Sequence, residues 1–105
     1  MMPVNETETE AAIQAKGLNA PRLDPSAIDA VIVGEDCHVF PDTTVTVCCL
    51  KLKNGYTVIG ESACVSRENF DEEIGRKIAR EDARRKIWQL EGYLLAQRIS
   101  LGEGQ

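Results

Sequence analysis

The run from Cys48 to Tyr93, CCLKLKNGYTVIGESACVSRENFDEEIGRKIAREDARRKIWQLEGY, constrains this chain most, because a tight-turn signal leads straight into one long helical period. Thr43 to Lys53 is rich in Val, Thr, Cys and Leu, Asn54-Gly55 interrupts it, and Tyr56 to Val65 resumes. Asn-Gly between two such runs is the strongest short-range hairpin signal, since both residues tolerate positive φ. A two-residue turn would set Lys53 opposite Tyr56, Leu50 opposite Ile59, Cys49 opposite Gly60 and Cys48 opposite Glu61. Alternation then puts Leu50, Leu52, Ile59, Cys48 and Glu61 on one face, and Val45, Val47, Cys49, Val58 and Cys64 on the other. A ribbon apolar on both sides needs cover on both.

A long helix supplies one cover. Asn69 is a good N-cap with Glu72 three residues on, and Asp71, Glu72 and Glu73 suit the positive end of the helix dipole. The period runs to about Ser100, before Gly102 and Gly104. Gly75, Ala79 and Ala83 recur every four residues and continue into Ile87, Leu90 and Leu94, a stripe that lets the helix axis approach a sheet closely. Trp88 and Leu95 flank it as core or interface residues.

Upstream, Asp24-Pro25 starts a short helix by mechanism: Asp24 accepts from orphan amides while proline loses nothing at the first helical position. Ile28, Val31, Ile32 and Val39 fall near one side, Gly34 interrupts, and Pro41 stops it, with His38 near the helix end. Residues 1–23 are polar, with Glu6, Glu8 and Glu10 alternating with Asn5, Thr7 and Thr9, and are expected to be a flexible or partner-dependent arm; Ala12, Ile13 and Ala15 suffice for a short helix if something covers them. The expected organisation is therefore an arm over 1–23, one α-β-β-α domain over 24–101 and a tail over 102–105. The fold class is α+β: a short N-terminal helix, an antiparallel hairpin and a long C-terminal helix packed on the sheet.

At 105 residues and 43% hydrophobic the chain affords one modest core. Association with further copies would cover the ribbon's second face or its edges, so a homo-oligomer is expected. Cys37, Cys48, Cys49 and Cys64 have neither metal-site nor disulfide-framework spacing, and with no apolar run long enough to span a bilayer they are expected as reduced, packed thiols in cytoplasm. A net charge of −5 argues against general attraction to nucleic-acid phosphates.

Arg76, Arg80 and Arg84 form a column four apart, an anion-binding pattern at first sight. Acids precede basic residues by four throughout (Glu72–Arg76, Glu73–Lys77, Glu81–Arg85, Asp82–Lys86), which favours a solvated, ion-paired face instead. Glu61, aimed at a core by the two-residue turn, is expected to bond amides near the helix start or to carry a raised pKa. No Ser/His/Asp set, HExxH, phosphate loop or GxGxxG occurs, and one histidine is too few for most transfer chemistry. A binding protein without cofactor or metal is expected rather than an enzyme.

The motifs NGYTVIGESAC, NFDEEIGRKIA and KIWQLEGYLL resemble those of a family of small tailed-phage and prophage proteins, the gene-product-forty-nine-like family, over about Asp24 to Gln97. The resemblance implies a phage accessory protein working in the cytoplasm of a host bacterium, and brings no catalytic residues. Among the matching positions Glu61, Arg76, Glu91 and Tyr93 need not be what they are for packing, so with Arg80 and Arg84 they are the candidate binding residues. The partners then expected are a host protein or a small anionic metabolite; nucleic acid read by the arginine column is the alternative. Element order also resembles a double-stranded-RNA-binding domain, but Asp71, Glu72 and Glu73 stand where that domain opens its last helix with lysines.

Overall fold

A computed structural model describes residues 6–15 and 22–102. In chain order the elements are α1 (Glu6–Ala15), α2 (Pro25–Ala30), β1 (Ile32–Val39), β2 (Val45–Leu52), β3 (Thr57–Ala63), a 3-10 turn over Arg67–Asn69 and α3 (Glu72–Ser100). The strands form one antiparallel sheet in the order β1-β2-β3, with α3 laid across β2 and β3. The architecture is α+β, with the long C-terminal helix packed on the sheet.

The helix expected from Asp24 onward is real but short. Asp24 caps it, accepting from the Ala27 amide at 2.8 Å, and Pro25 opens it. After Ala30 the β-branched run Val31-Ile32-Val33 turns the chain into β1, a third strand in place of further helix. His38 thus lies in a strand, not at a helix end. A β-bulge between Ile32 and Gly34 interrupts the pairing of β1 with β2.

The hairpin forms where Asn54-Gly55 predicts it, one residue out of the expected register. Lys51 faces Thr57, Leu50 faces Val58, Cys49 faces Ile59 and Cys48 faces Gly60. The loop has three residues, Lys53-Asn54-Gly55. The Gly55 amide donates to the Leu52 carbonyl at 2.9 Å, the Leu52 amide donates to Tyr56, and Gly55 takes φ 90°. This is a type I turn followed by a left-handed residue, the pattern of three-residue hairpins. The Asn54 side chain accepts from the Tyr56 amide at 3.0 Å and fixes it.

One residue of slip moves every β3 side chain to the opposite face. Val58 joins Cys48, Leu50 and Leu52 under the helix, while Ile59 and Glu61 turn to the uncovered side with Val45, Val47 and Cys49. The core consists of Ile28, Leu50, Leu52, Val58, Ala83 and Ile87, with Trp88 and Leu90 packed against it. Among the described residues no element covers the other face of the sheet, where Ile59 is 45% exposed.

The small-residue stripe behaves as its spacing predicts. Gly75, Ala79, Ala83 and Ile87 are all buried, and α3 approaches so closely that a Cβ on Gly60 would lie 2.1 Å from the Ala79 carbonyl oxygen. The cap of α3 is Asp71, not Asn69: its carboxylate accepts from the Glu73 and Ile74 amides at 2.9 and 3.0 Å, and Asn69 ends the preceding 3-10 turn. The helix stops at Ser100 before Gly102, which takes φ 82°.

Cys37 and Cys48 face each other across β1 and β2 and are disulfide-bonded, with Cα atoms 4.1 Å apart. The expectation of four reduced thiols is corrected here; Cys49 and Cys64 are the free ones. Spacing hides the bond, because a helix running to Pro41 gives Cys37 no cross-strand partner.

Candidate functional site

The Arg76-Arg80-Arg84 column divides into three different environments. Arg84 is 5% exposed and structural: its guanidinium donates to Asp29 of α2 at 2.9 Å, to Glu6 of α1 and to the Pro25 carbonyl oxygen at 3.2 Å. Burial pulls its pKa down, but the hydrogen bonds to Glu6 and Asp29 and their charges outweigh that and leave it raised. Trp88 Nε1 donates to the same Glu6 carboxylate at 3.3 Å, and Arg22 donates to Glu10 at 2.8 Å, so two arginines and an indole seat α1. Arg80 reaches over the sheet to Glu35 of β1 at 2.7 Å. The Arg76 side chain makes no ion pair among the described residues, although Glu72 lies four residues before it.

The four acid-first pairs expected along α3 do not close. Asp82 and Lys86 turn to the sheet instead. Asp82 accepts from the Glu61 amide at 3.0 Å and from Arg85 at 2.6 Å, and Lys86 donates to the Ile59 carbonyl oxygen. The Glu61 amide, then Arg85, hold the Asp82 carboxyl below its usual range. These contacts satisfy outward backbone groups of β3 and blunt that sheet edge.

Arg76 lies on a cleft of about 480 Å³ between the β1–β2 connection and the start of α3. One wall is residues 37–43; the other is Phe70, Glu72 and Arg76, with Thr46 in the lining. The connection is held in shape by local bonds. The Thr43 amide and hydroxyl donate to the Phe40 carbonyl at 3.2 and 2.8 Å, Asp42 takes φ 60°, and Arg67 donates to the Asp42 carbonyl oxygen. Thr46 is 1% exposed, and its hydroxyl has no hydrogen-bond partner among the described residues. It sits against Gly75, where a Cβ would come within 2.8 Å of Oγ1.

This arrangement offers a guanidinium without an ion pair among the described residues, able to grip a carboxylate or phosphate in bidentate fashion, an aromatic ring at Phe70, and the carboxylates of Asp42 and Glu72 to accept from ligand hydroxyl or amine groups. Among the described residues no group of three or more His, Cys, Asp or Glu is placed to hold a metal ion, and no helix is long and apolar enough to cross a membrane.

The other sequence candidates stand apart from the cleft. Glu61 is exposed on the uncovered face of the sheet rather than in a core, because of the register slip. Glu91 is half-buried on α3 and Tyr93 is 73% exposed, next to a groove with Ile13, Leu23, Trp88 and Leu95. Fifteen residues of helix separate Arg76 from Glu91, about 22 Å along the axis, so they serve no common small ligand. Sequence reasoning missed Thr46, Phe70 and Asp42. For Thr46 a signal existed: it shares parity with Cys48 and Leu50, which places a hydroxyl on the helix face.

No curated protein and no solved structure matches the chain. A family match spans most of its length. Residues 23–99 match the phage protein (N4 Gp49/phage Sf6 gene 66) family, from α2 through nearly all of α3, and the chain belongs to that family.

Proposed function

We propose that this phage protein acts by binding rather than catalysis, capturing a small anionic molecule of the host in the Arg76 cleft, and that it works as a homo-oligomer in the host cytoplasm. The observation that carries the reading is the partition of the arginines: Arg84 and Arg80 are paired with Asp29, Glu6 and Glu35, whereas Arg76, on a polar cleft, makes no ion pair among the described residues. A guanidinium left in that state at a concave site is suited to an anion of metabolite size. Asp42 and Glu72 on the rim favour a ligand that also carries donors.

The same partition weakens the nucleic-acid alternative. A phosphate-tracking stripe needs several free cations in a row, and two of three here already hold carboxylates. A host protein as partner fits the uncovered sheet face less specifically than an anion fits the cleft.

Thermal unfolding in the presence of small anions, including inorganic phosphate, pyrophosphate, citrate and phosphorylated sugars, tests the reading. A stabilising anion whose effect disappears in Arg76→Ala and persists in Arg80→Ala supports it. Stabilisation by none of them, together with retardation of DNA or RNA at low salt, would favour the alternative.

A further inference from the structure

The two edges of the sheet are not equivalent. On β3, α3 blocks the outward backbone: Asp82 takes the Glu61 amide and Lys86 takes the Ile59 carbonyl. On β1 nothing comparable occurs. Cys37 and Cys48 lie 4.1 Å apart at Cα, the separation of a non-hydrogen-bonded antiparallel pair, so the N–H and C=O of Cys37 point away from β2. By alternation those of Glu35 and Val39 do the same. Among the described residues none of these groups has a hydrogen-bond partner, so the edge is a template for another strand.

We infer that β1 pairs antiparallel with β1 of a second copy of this chain, about a two-fold axis through Cys37, giving a continuous six-stranded sheet. The inference rests on the homo-oligomer reading above and deepens it by naming the seam. The register follows from the strand itself. With Cys37 opposite the partner's Cys37, the outward-pointing residues Glu35 and Val39 meet Val39 and Glu35 of the partner, and the seam closes with about six main-chain hydrogen bonds. Any odd-numbered shift would set outward groups against inward ones.

Side chains on the uncovered face match across that register. Asp36 falls opposite the partner's His38, where an imidazole N–H can donate to the carboxylate, and the symmetry repeats the pair. Gly34 falls opposite the partner's Phe40. Phe40 is 46% exposed and stacked edge-on against His38 at 5.2 Å, so an unused ring covers a residue with no side chain of its own. Like charges would not meet: Asp36 already bonds Lys51 of its own chain at 3.0 Å, which leaves it a second lone-pair side for the imidazole. On the helix face, β1 is the strand that α3 covers least, so two copies meet without their long helices colliding.

The test is light scattering after size exclusion at tens of micromolar chain, combined with amide hydrogen exchange read by residue. The expected result is a dimer whose Glu35, Cys37 and Val39 amides lose protection on dilution. His38→Glu sets two carboxylates face to face at two symmetric places and should raise the dimer dissociation constant on the order of tenfold. Asp36→Lys combined with His38→Glu restores opposite charges and should recover most of that loss. Circular dichroism of each variant controls for folding. A wild-type monomer would overturn both the oligomer reading and the seam. A wild-type dimer with unprotected Glu35, Cys37 and Val39 amides, unmoved by His38→Glu, would overturn the seam alone.

Discussion

Gly60 of β3 and Ala83 of α3 touch backbone to backbone: a Cβ built on Gly60 would stand 2.2 Å from the Ala83 amide nitrogen and 2.9 Å from its Cα. Neither side can yield, because the obstacle is main chain rather than the end of a flexible side chain. Gly60→Ala is therefore expected to push the helix off the sheet and to cost at least about 3 kcal/mol, the upper range for overpacking. Ala83→Val should behave similarly. Urea unfolding of both variants checks this, and a change below about 1 kcal/mol in either would mean the helix sits higher than described.

The arginine column makes a second prediction, about unequal costs. Arg80→Ala removes the Glu35 ion pair, whose partners are each about a third exposed, and a looser one to Glu81 at 4.0 Å, and should cost about 0.2–1 kcal/mol, less at high salt. Arg84→Ala removes a buried guanidinium that ties α1, α2 and the Pro25 carbonyl together, and should cost about 1–3 kcal/mol. Denaturant midpoints measured at low and high salt separate the two: only the Arg80 effect should fade.

Asp82 gives the pH dependence. Its folded pKa is depressed below the ordinary 3.8, first by the Glu61 amide and then by Arg85. The stabilisation is thus complete above about pH 5, where the carboxyl is ionised in both folded and unfolded states, and drains away as pH falls below 3.8 through the lower folded value. Asp82→Asn should lie about 0.5–1.5 kcal/mol below wild type at pH 7, with the gap closing below pH 4. A gap that stays constant down to pH 3 would contradict the assignment.

These three predictions draw on features of unequal legibility. The stripe of Gly75, Ala79 and Ala83 was readable because small residues at four-residue spacing admit few packings, and Asp24-Pro25 was readable because capping is a local event. Register was not: Asn-Gly suits both a two-residue turn and the last positions of a three-residue loop, and only the pairing of whole strands decides between them. That single residue carried Glu61 from the expected core to solvent. β1 was hidden because the edge strand Ile32-Val33-Gly34-Glu35-Asp36-Cys37-His38-Val39 lacks clean alternation, its charges being tolerated where one side faces water. Of the site, Arg76 was visible as one member of a column. Its distinction from Arg80 and Arg84 depends on Glu35, Asp29 and Glu6, residues far away in sequence.

The Cys37–Cys48 bond closes a short loop, its ends 11 positions apart, and staples the edge strand to β2. Its removal should cost about 2–3 kcal/mol in the chain-entropy account. Thermal unfolding with and without a phosphine reductant measures this, and alkylation before and after reduction should label two thiols and then four. Four labelled thiols without reductant would show that the bond does not form.

The proposed binding turns on Arg76, the member of the Arg76-Arg80-Arg84 column that makes no ion pair among the described residues. Native mass spectrometry of the protein incubated with the small-molecule filtrate of a bacterial lysate addresses this most directly, with Arg76→Ala and Arg80→Ala treated in parallel. The predicted result is a bound anion of metabolite mass on wild type and Arg80→Ala and none on Arg76→Ala. Equal retention by wild type and Arg76→Ala would place binding elsewhere on the molecule, and an adduct lost from Arg80→Ala alone would contradict the assignment of the cleft.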